Sequence, residues 1–439
     1  MKAETSRRGL LAGGLAVLAG GPATGAGTGR FSDILAEGPN GVLSAGLIVR
    51  DPDGAVLLAE ATGERITGSA TGEVRRPFGL DDPFRTASIS KMITTVGFMQ
   101  LIAQGRVGLE DDASSRLGFR LRHPAWPDRP ITVRSLLSHT SGLRNGPSYP
   151  VPAGHRLAEA FEADGRHFDG GAWFGPPEHA PGEWFSYADV NFCLIAQIIE
   201  RLTTERFDRY MTRTVLSPLG LDAGYNWSGV SQPKRNRAAS ARRWLNNRWT
   251  AQADAVAPTA PAVVFPQPRD SAPLPESDLR LGENGFLFSP LGGLRVSLHD
   301  LDRLAAMFRH GGVLDGVRVI DAAGLAMMTT PVWRFDPARP NGDTDGGVFG
   351  GYGLGVECPQ GLAGPRGDGF FGASSQDWRG HLGDAYGWMT GLFWNQRTGA
   401  TLVYALNGMR ETDRPPGLRC ALTAPEEALV DRAIQALGT

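Results

Sequence analysis

The sequence predicts an α+β (α/β) fold: an antiparallel β-sheet built from both ends of the chain, flanked by helices, with a mostly helical domain inserted between them. Three observations carry this. Strand patterns open the chain at 42–49 and 55–61. They return after residue 345, at 353–357, 387–394 and 400–406. Between them lie apolar patterns of helical period joined by long Gly- and Pro-rich connections.

Taken in order, residues 1–29 read as a targeting segment. Arg7-Arg8 precede a short apolar run and then a Gly/Ala/Pro/Thr stretch, which matches a twin-arginine export signal. The run is too short to span a bilayer, and no later segment is a transmembrane candidate. Residues 42–49 and 55–61 form a hairpin around Asp51-Pro52-Asp53-Gly54. From Ser88, the apolar residues Ile89, Met92, Ile93, Val96, Met99 and Ile102 recur at helical spacing to a stop at Gly105. Short helices follow at 132–137, ending at Gly142, and at 191–202. Ser297 and Asp300 read as the N-cap and first turn of another helix. The Pro-rich stretch 256–278 is predicted to be a surface loop or lid. Residues 424–437 close the chain as an amphipathic helix. The expected division is therefore a signal at 1–29, a sheet domain from 30–87 and 340–439, and an inserted helical domain at 88–339, with the active site at their junction.

Composition narrows the function. The 439 residues carry 44 basic and 46 acidic side chains, a net charge of -2, which calls for neither nucleic acid nor an anionic surface. The eight histidines show no His-x-x-x-His or similar spacing, so no metal or cofactor is expected. The three cysteines lack ligand spacing: Cys193 reads as a core thiol, and Cys358 and Cys420 are candidates for pairing in an oxidising compartment.

Lysine usage singles out one position. Only three lysines stand against 41 arginines, and one of them, Lys91, follows Ser88 by three residues, on the same face of the predicted helix. A desolvated lysine can act as a base, whereas arginine stays protonated. A serine hydroxyl needs such a base to become a nucleophile, and no Gly-x-Ser-x-Gly elbow is present to supply a histidine. The candidates for the base are Lys91 with a lowered pKa, a phenolate-like Tyr187, or the two sharing a proton. The helix N-terminus at Ser88 favours negative charge beside it.

Ser88-x-x-Lys91, Tyr187-Ala188-Asp189 and His381-Leu382-Gly383 occur in this order, together with the segments 131–143, 289–294 and 405–407. The set resembles the penicillin-recognising serine hydrolases of the class C β-lactamase type, with D-alanyl-D-alanine carboxypeptidases, D-aminopeptidases and carboxylesterases among them. The resemblance covers residues 35–410 and implies a β-lactamase/transpeptidase-like fold. It implies Ser88 as nucleophile, Lys91 and Tyr187 as proton shuttle, and Tyr187 as donor to the leaving group. The oxyanion hole would be the backbone N–H groups of Ser88 and Asp384, with Asp189, His381 and Gly383 binding substrate.

Two departures matter. Leu382 replaces the usual threonine and removes a hydroxyl donor near a substrate carboxylate. Asp189 stands where the family has asparagine; pointed at Lys91, its charge would favour the ammonium and leave more of the base role to Tyr187. The alternative is that Asn191 supplies the amide from the next turn. His139 and Ser141 read as helix-end capping residues. The basic run Lys234, Arg235, Arg237, Arg242, Arg243 and Arg248, with Trp244 and Trp249, reads as a solvated loop beside an aromatic wall rather than a site for an acidic partner. The expected protein is an exported serine hydrolase working through an acyl-enzyme on an ester or D-amino-acid-type amide. The rivals are a D,D-carboxypeptidase or β-lactamase and an acylating sensor. Its partner is a small-molecule or peptide substrate, without nucleic acid or stable membrane insertion.

Overall fold

The computed structural model describes residues 30–67, 73–252, 279–410 and 413–438. The expected signal at 1–29 and lid at 256–278 lie outside them.

The turn at Asp51 sets up the first hairpin. Asp51 donates its N–H to the Ala55 carbonyl at 3.0 Å, and its carboxylate accepts from Ala55 N–H at 2.8 Å. Gly54 adopts φ +91°, which an L side chain would resist. The turn joins β1 (Ser44–Arg50) to β2 (Val56–Thr67), which pairs with β3 (Val74–Pro77). From the far end of the chain come β4 (Trp378–Ala385), β5 (Trp388–Asn395) and β6 (Thr401–Asn407). The six strands form one antiparallel sheet in the order β4-β5-β6-β1-β2-β3, with Ser44 opposite Asn407 where the two ends of the chain meet. The sheet expected from both termini is present.

Both faces of this sheet are covered, which explains why β1, β5 and β6 are buried along nearly their whole length. On one face lies α3 (Leu298–Arg309), started by the Ser297/Asp300 capping box; on the other lies α4 (Ala424–Leu437), started by Thr423 and Glu426. Strand alternation divides the core accordingly. Ile48, Leu392 and Val403 join Leu301 and Phe308 in one cluster, while Leu47, Val49, Leu402 and Leu406 join Leu429 and Val430 in the other. Each such side chain contributes about 1.5–3 kcal/mol of burial. Because α3 packs directly on β1, β5 and β6, an element within 88–339 belongs to the sheet layer.

The first helix, α1 (Ile89–Ala103), is predominantly apolar and buried almost throughout. It packs against the edge strand β4 and against α2 (Val190–Thr203). This placement brings its N-terminus to the sheet edge.

Several expectations are corrected. Residues 353–357 do not form a strand, because Gly355 turns at φ +67° and a Cβ there would stand 2.1 Å from Thr95 Oγ1; Gly351–Tyr352 pairs with Trp333–Arg334, and of 353–357 Glu357 makes isolated bridges to Tyr352 and Gly380. Cys358 and Cys420 are both free thiols in different core clusters and do not pair. The basic run is no solvated loop. Arg242–Leu245 and Arg248–Ala251 form a hairpin whose turn residues Asn246 and Asn247 take positive φ. Arg242 is fully buried against Glu73, and Lys234 pairs with Asp300. No described helix is long and apolar enough to cross a membrane.

Candidate active site

Ser88 caps α1, and the residue before it is strained. Ala87 sits at φ +52°, a conformation that L residues rarely hold without support. Support comes from Ser90 Oγ, which donates to Ala87 O at 2.6 Å and accepts from Leu294 N at 2.9 Å. Thr390 Oγ1 of β5 donates to Thr86 O at 2.7 Å, tying the same turn to the sheet. Ser88 is partly exposed while its neighbours on both sides are buried. The turn therefore presents one hydroxyl to solvent from an otherwise closed surface.

Lys91, one helical turn later, is completely buried. Its Nζ lies 3.1 Å from Ser88 Oγ, 3.0 Å from Leu291 O and 2.7 Å from Asp189 Oδ1. Tyr187, half-buried, stands beside them, its ring centroid 4.7 Å from Lys91 Nζ. Lys91 and Tyr187, 96 residues apart in sequence, thus meet at Ser88 because α1 and the N-terminal end of α2 pack side by side.

The charges decide the resting state. Burial pushes the Lys91 pKa down, but Asp189 and Tyr187 push it up further, and the balance lies above its ordinary 10.5. Burial, opposed by Lys91 and assisted by Asp189, holds the Tyr187 phenol above its ordinary value. At rest the site is therefore an ammonium paired with a carboxylate beside two neutral hydroxyls. The lowered lysine pKa and the phenolate-like tyrosine considered from sequence are both absent from this state.

Asp189 is placed at Lys91, as the departure from asparagine implied. Its second oxygen accepts from the Tyr149 hydroxyl at 3.0 Å. The alternative through Asn191 fails: its Oδ1 accepts from Ser141 Oγ at 2.7 Å and its amide nitrogen lies 3.1 Å from His139 Nδ1. His139 and Ser141 are accordingly not helix caps. His139 takes φ +56° and tucks under Tyr187, ring centroids 4.3 Å apart, with Nδ1 accepting from Ala188 N at 3.2 Å. Burial first, then the positive charge of Lys91, holds this imidazole well below its ordinary pKa, so it stays neutral. It fixes the plane of Tyr187.

Strand β4 forms the opposite wall. A Cβ on Gly383 would lie 2.2 Å from both Thr86 O and Thr390 Oγ1, so only glycine lets β4 pass this close to the Ser88 turn. Because β4 is an edge strand, alternate backbone groups face outward. Gly380 pairs outward with Glu357, and the next outward N–H, of Leu382, donates to Glu357 Oε1 at 2.9 Å. The following outward N–H is that of Asp384. Its side chain is turned to Arg414, whose Nη2 donates to Oδ1 at 2.8 Å.

His381 is not at the open surface where a substrate-binding role would place it. It is buried behind Tyr187, 2.9 Å from the Tyr352 hydroxyl through Nε2 and 3.3 Å from Glu357 through Nδ1. Sequence reasoning missed Tyr149 and the Leu291 carbonyl as neighbours of the site. Tyr149 lies in no periodic pattern or motif that could have signalled it, whereas Leu291 lies in the segment 289–294 that accompanies the motifs.

Comparison with known proteins agrees with this fold. Penicillin-binding protein 4 of Amycolatopsis lactamdurans is 26% identical over 60% of this chain and 61% of its own length. Among solved structures, D-amino acid amidase from Ochrobactrum anthropi SV3 superposes with a TM-score of 0.59 at 18% identity, covering 90% of this chain and 94% of that one. EstCE1, a hydrolase with promiscuous acyltransferase activity, gives 0.57 at 18% identity, covering 91% and 94%. The chain spans from 26% to 61% of the length of the curated relatives it matches. Residues 33–421 match the Beta-lactamase family model, nearly the whole of the described chain, and the protein belongs to that family.

Proposed function

We propose that this protein is an exported serine hydrolase that forms an acyl-enzyme on Ser88 and favours esters with good leaving groups over D-amino-acid-type amides. The observation that carries the reading is Ser88 Oγ, partly exposed at the start of α1 and 3.1 Å from the buried Lys91 Nζ, with the Tyr187 ring 4.7 Å from that nitrogen.

In the proposed cycle, Lys91 in its free-amine form takes the Ser88 proton as Oγ attacks the substrate carbonyl carbon. The oxyanion accepts hydrogen bonds from the N–H groups of Ser88 and Asp384, at the helix N-terminus and the open edge of β4. Collapse expels the leaving oxygen, which takes a proton from Tyr187; Lys91 returns one to Tyr187. Water then attacks the acyl carbon and gives its proton to the Lys91 amine; collapse breaks the bond to Ser88 Oγ, which takes that proton back as the acid leaves, restoring the serine hydroxyl and the free amine.

The ester preference follows from Asp189. Its charge keeps Lys91 protonated, so a small fraction of molecules holds the free amine at neutral pH. A carboxylate also cannot donate to a substrate amide carbonyl, and both oxygens of Asp189 are already engaged by Lys91 and Tyr149. Activated esters depend least on proton delivery to the leaving atom. Activity against p-nitrophenyl esters, D-Ala-D-Ala peptides and nitrocefin tests this. The expected result is turnover of the esters with much higher kcat/KM than either amide. Turnover of the β-lactam or peptide at equal or higher kcat/KM overturns it.

A further inference from the structure

Two of the eight histidines that look scattered in sequence converge at one place away from Ser88. His155, Glu159 and His167 each bring one donor atom to within 4.8 Å of the other two. His155 Nδ1 lies 3.3 Å from Glu159 Oε2. The His155 and His167 rings meet edge to face with centroids 4.8 Å apart. All three side chains are half-buried. The cluster is built by local structure: Glu159 sits in the short 3-10 helix Leu157–Ala160, and after the turn at 161–166 the chain returns so that His167 N–H bonds Glu159 O at 3.1 Å.

We propose that His155, Glu159 and His167 bind a divalent cation of the zinc class, clamping the segment that borders the active site. Two imidazoles and one carboxylate suit zinc, cobalt or nickel, whereas magnesium and calcium prefer all-oxygen sets. Donors about 2.1 Å from a tetrahedral metal stand about 3.4 Å apart. The His155–Glu159 separation is already close to that value, and closing the 4.8 Å limit needs a side-chain movement of about 1.4 Å. His167 Nε2 is buried and has no hydrogen-bond partner among the described residues, an unmet polar atom that calls for an explanation. The competing use of Glu159 is modest: its other oxygen accepts from Arg156 N at 3.0 Å, which leaves Oε2 to the cluster.

The clamp has a consequence for the site. The His155 carbonyl accepts from Asn284 Nδ2 at 3.0 Å, and Leu157 N–H donates to Glu283 O at 2.7 Å, joining the segment to residues 279–288. The His167 carbonyl accepts from Trp173 Nε1 at 2.7 Å. Phe286, on the first of these neighbours, packs edge-on against Tyr149, which bonds Asp189. A metal bridging His155 and His167 holds this frame together without touching substrate.

The test uses the full-length mature protein after chelation and dialysis, titrated separately with zinc chloride, cobalt chloride and magnesium chloride. Binding at a hundred times Kd should raise the melting temperature of a chain this size by about 3 °C with zinc and leave it unchanged with magnesium. Cobalt should give visible d–d bands. The double variant His155→Asn, His167→Asn should keep its fold and ester hydrolysis and lose both signals. Absence of both signals in the wild type would mean that the cluster is only a hydrogen-bonded corner; signals that survive in the double variant would place the ion elsewhere. Either result overturns the proposal.

Discussion

Replacing Asp189 by asparagine removes one charge from a buried pair while keeping shape, so it isolates what that charge does. Lys91 and Asp189 are 2.7 Å apart, with side chains 0% and 6% exposed. Breaking a buried pair of this kind costs about 3–5 kcal/mol if the surviving charge is retained. Releasing the proton instead, from an ordinary value of 10.5, costs about 5 kcal/mol at pH 7. The two are comparable, so in Asp189→Asn the free amine becomes competitive with the ammonium near neutrality. The direction follows from linkage. Because the folded pKa of Lys91 is raised, the pair's stabilisation is full below 10.5 and is lost as pH climbs through the folded value. The variant should lose that alkaline dependence of stability. The assay is kcat/KM from pH 6 to 10 with one p-nitrophenyl ester and one D-Ala-D-Ala peptide. The rise of ester activity with pH should move to lower pH, and the ratio of the two substrates should shift toward the peptide. Superposable pH profiles with an unchanged ratio would refute the electrostatic role of Asp189.

Other outcomes follow from the same geometry. A fluorophosphonate probe should label Ser88 and leave Ser88→Ala unmodified; adduct at another serine, read by peptide mass, rejects the nucleophile. Lys91→Arg should lose about as much ester activity as Lys91→Ala, on the order of 10²–10⁴-fold, since arginine keeps the charge and cannot give it up. Changing Arg7 and Arg8 to lysine should leave the precursor in the cytoplasm, and undiminished delivery of mature protein across the membrane speaks against the export reading. Burial raises Glu200 to about 7 from an ordinary 4.5, so its contribution to stability is full below 4.5 and is lost as pH rises through 7, at most about 3 kcal/mol. Glu200→Gln should flatten the melting temperature between pH 5 and 8; an unchanged slope assigns the dependence to other groups.

What was legible in the sequence was what local periodicity and short spacing encode. The repeat from Ile89 to Ile102 gave α1, the Ser297 and Asp300 pair gave the start of α3, and a rare lysine one turn after Ser88 gave the core of the site. What escaped depends on turns and distant contacts. Tyr149 reaches Asp189 across 40 residues from a segment without periodicity. His139 looked like a cap because its neighbours are Ser, Thr and Gly, yet its left-handed backbone turns the ring inward beneath Tyr187. Gly353-Leu-Gly-Val-Glu357 alternates like a strand, and only the positive φ of Gly355 breaks it. The convergence of His155, Glu159 and His167 needs the turn at 161–166, which no spacing rule announces.

Charge pairing around Ser88 bears on the class of substrate. Arg414 is spent on Asp384, and Lys91 on Asp189. His381 stands against Glu357 and lies out of reach behind Tyr187. Leu382 offers no hydroxyl. A substrate carboxylate arriving along β4 would therefore meet cations already neutralised by the chain's own acids, and would lose its hydration without a compensating partner. On the proposed function, a neutral acyl group avoids that cost while still using the two backbone donors proposed for the oxyanion, those of Ser88 and Asp384. On that proposed function the two departures, Asp189 and Leu382, act in the same direction, one holding Lys91 protonated and the other leaving a substrate carboxylate without a hydroxyl donor.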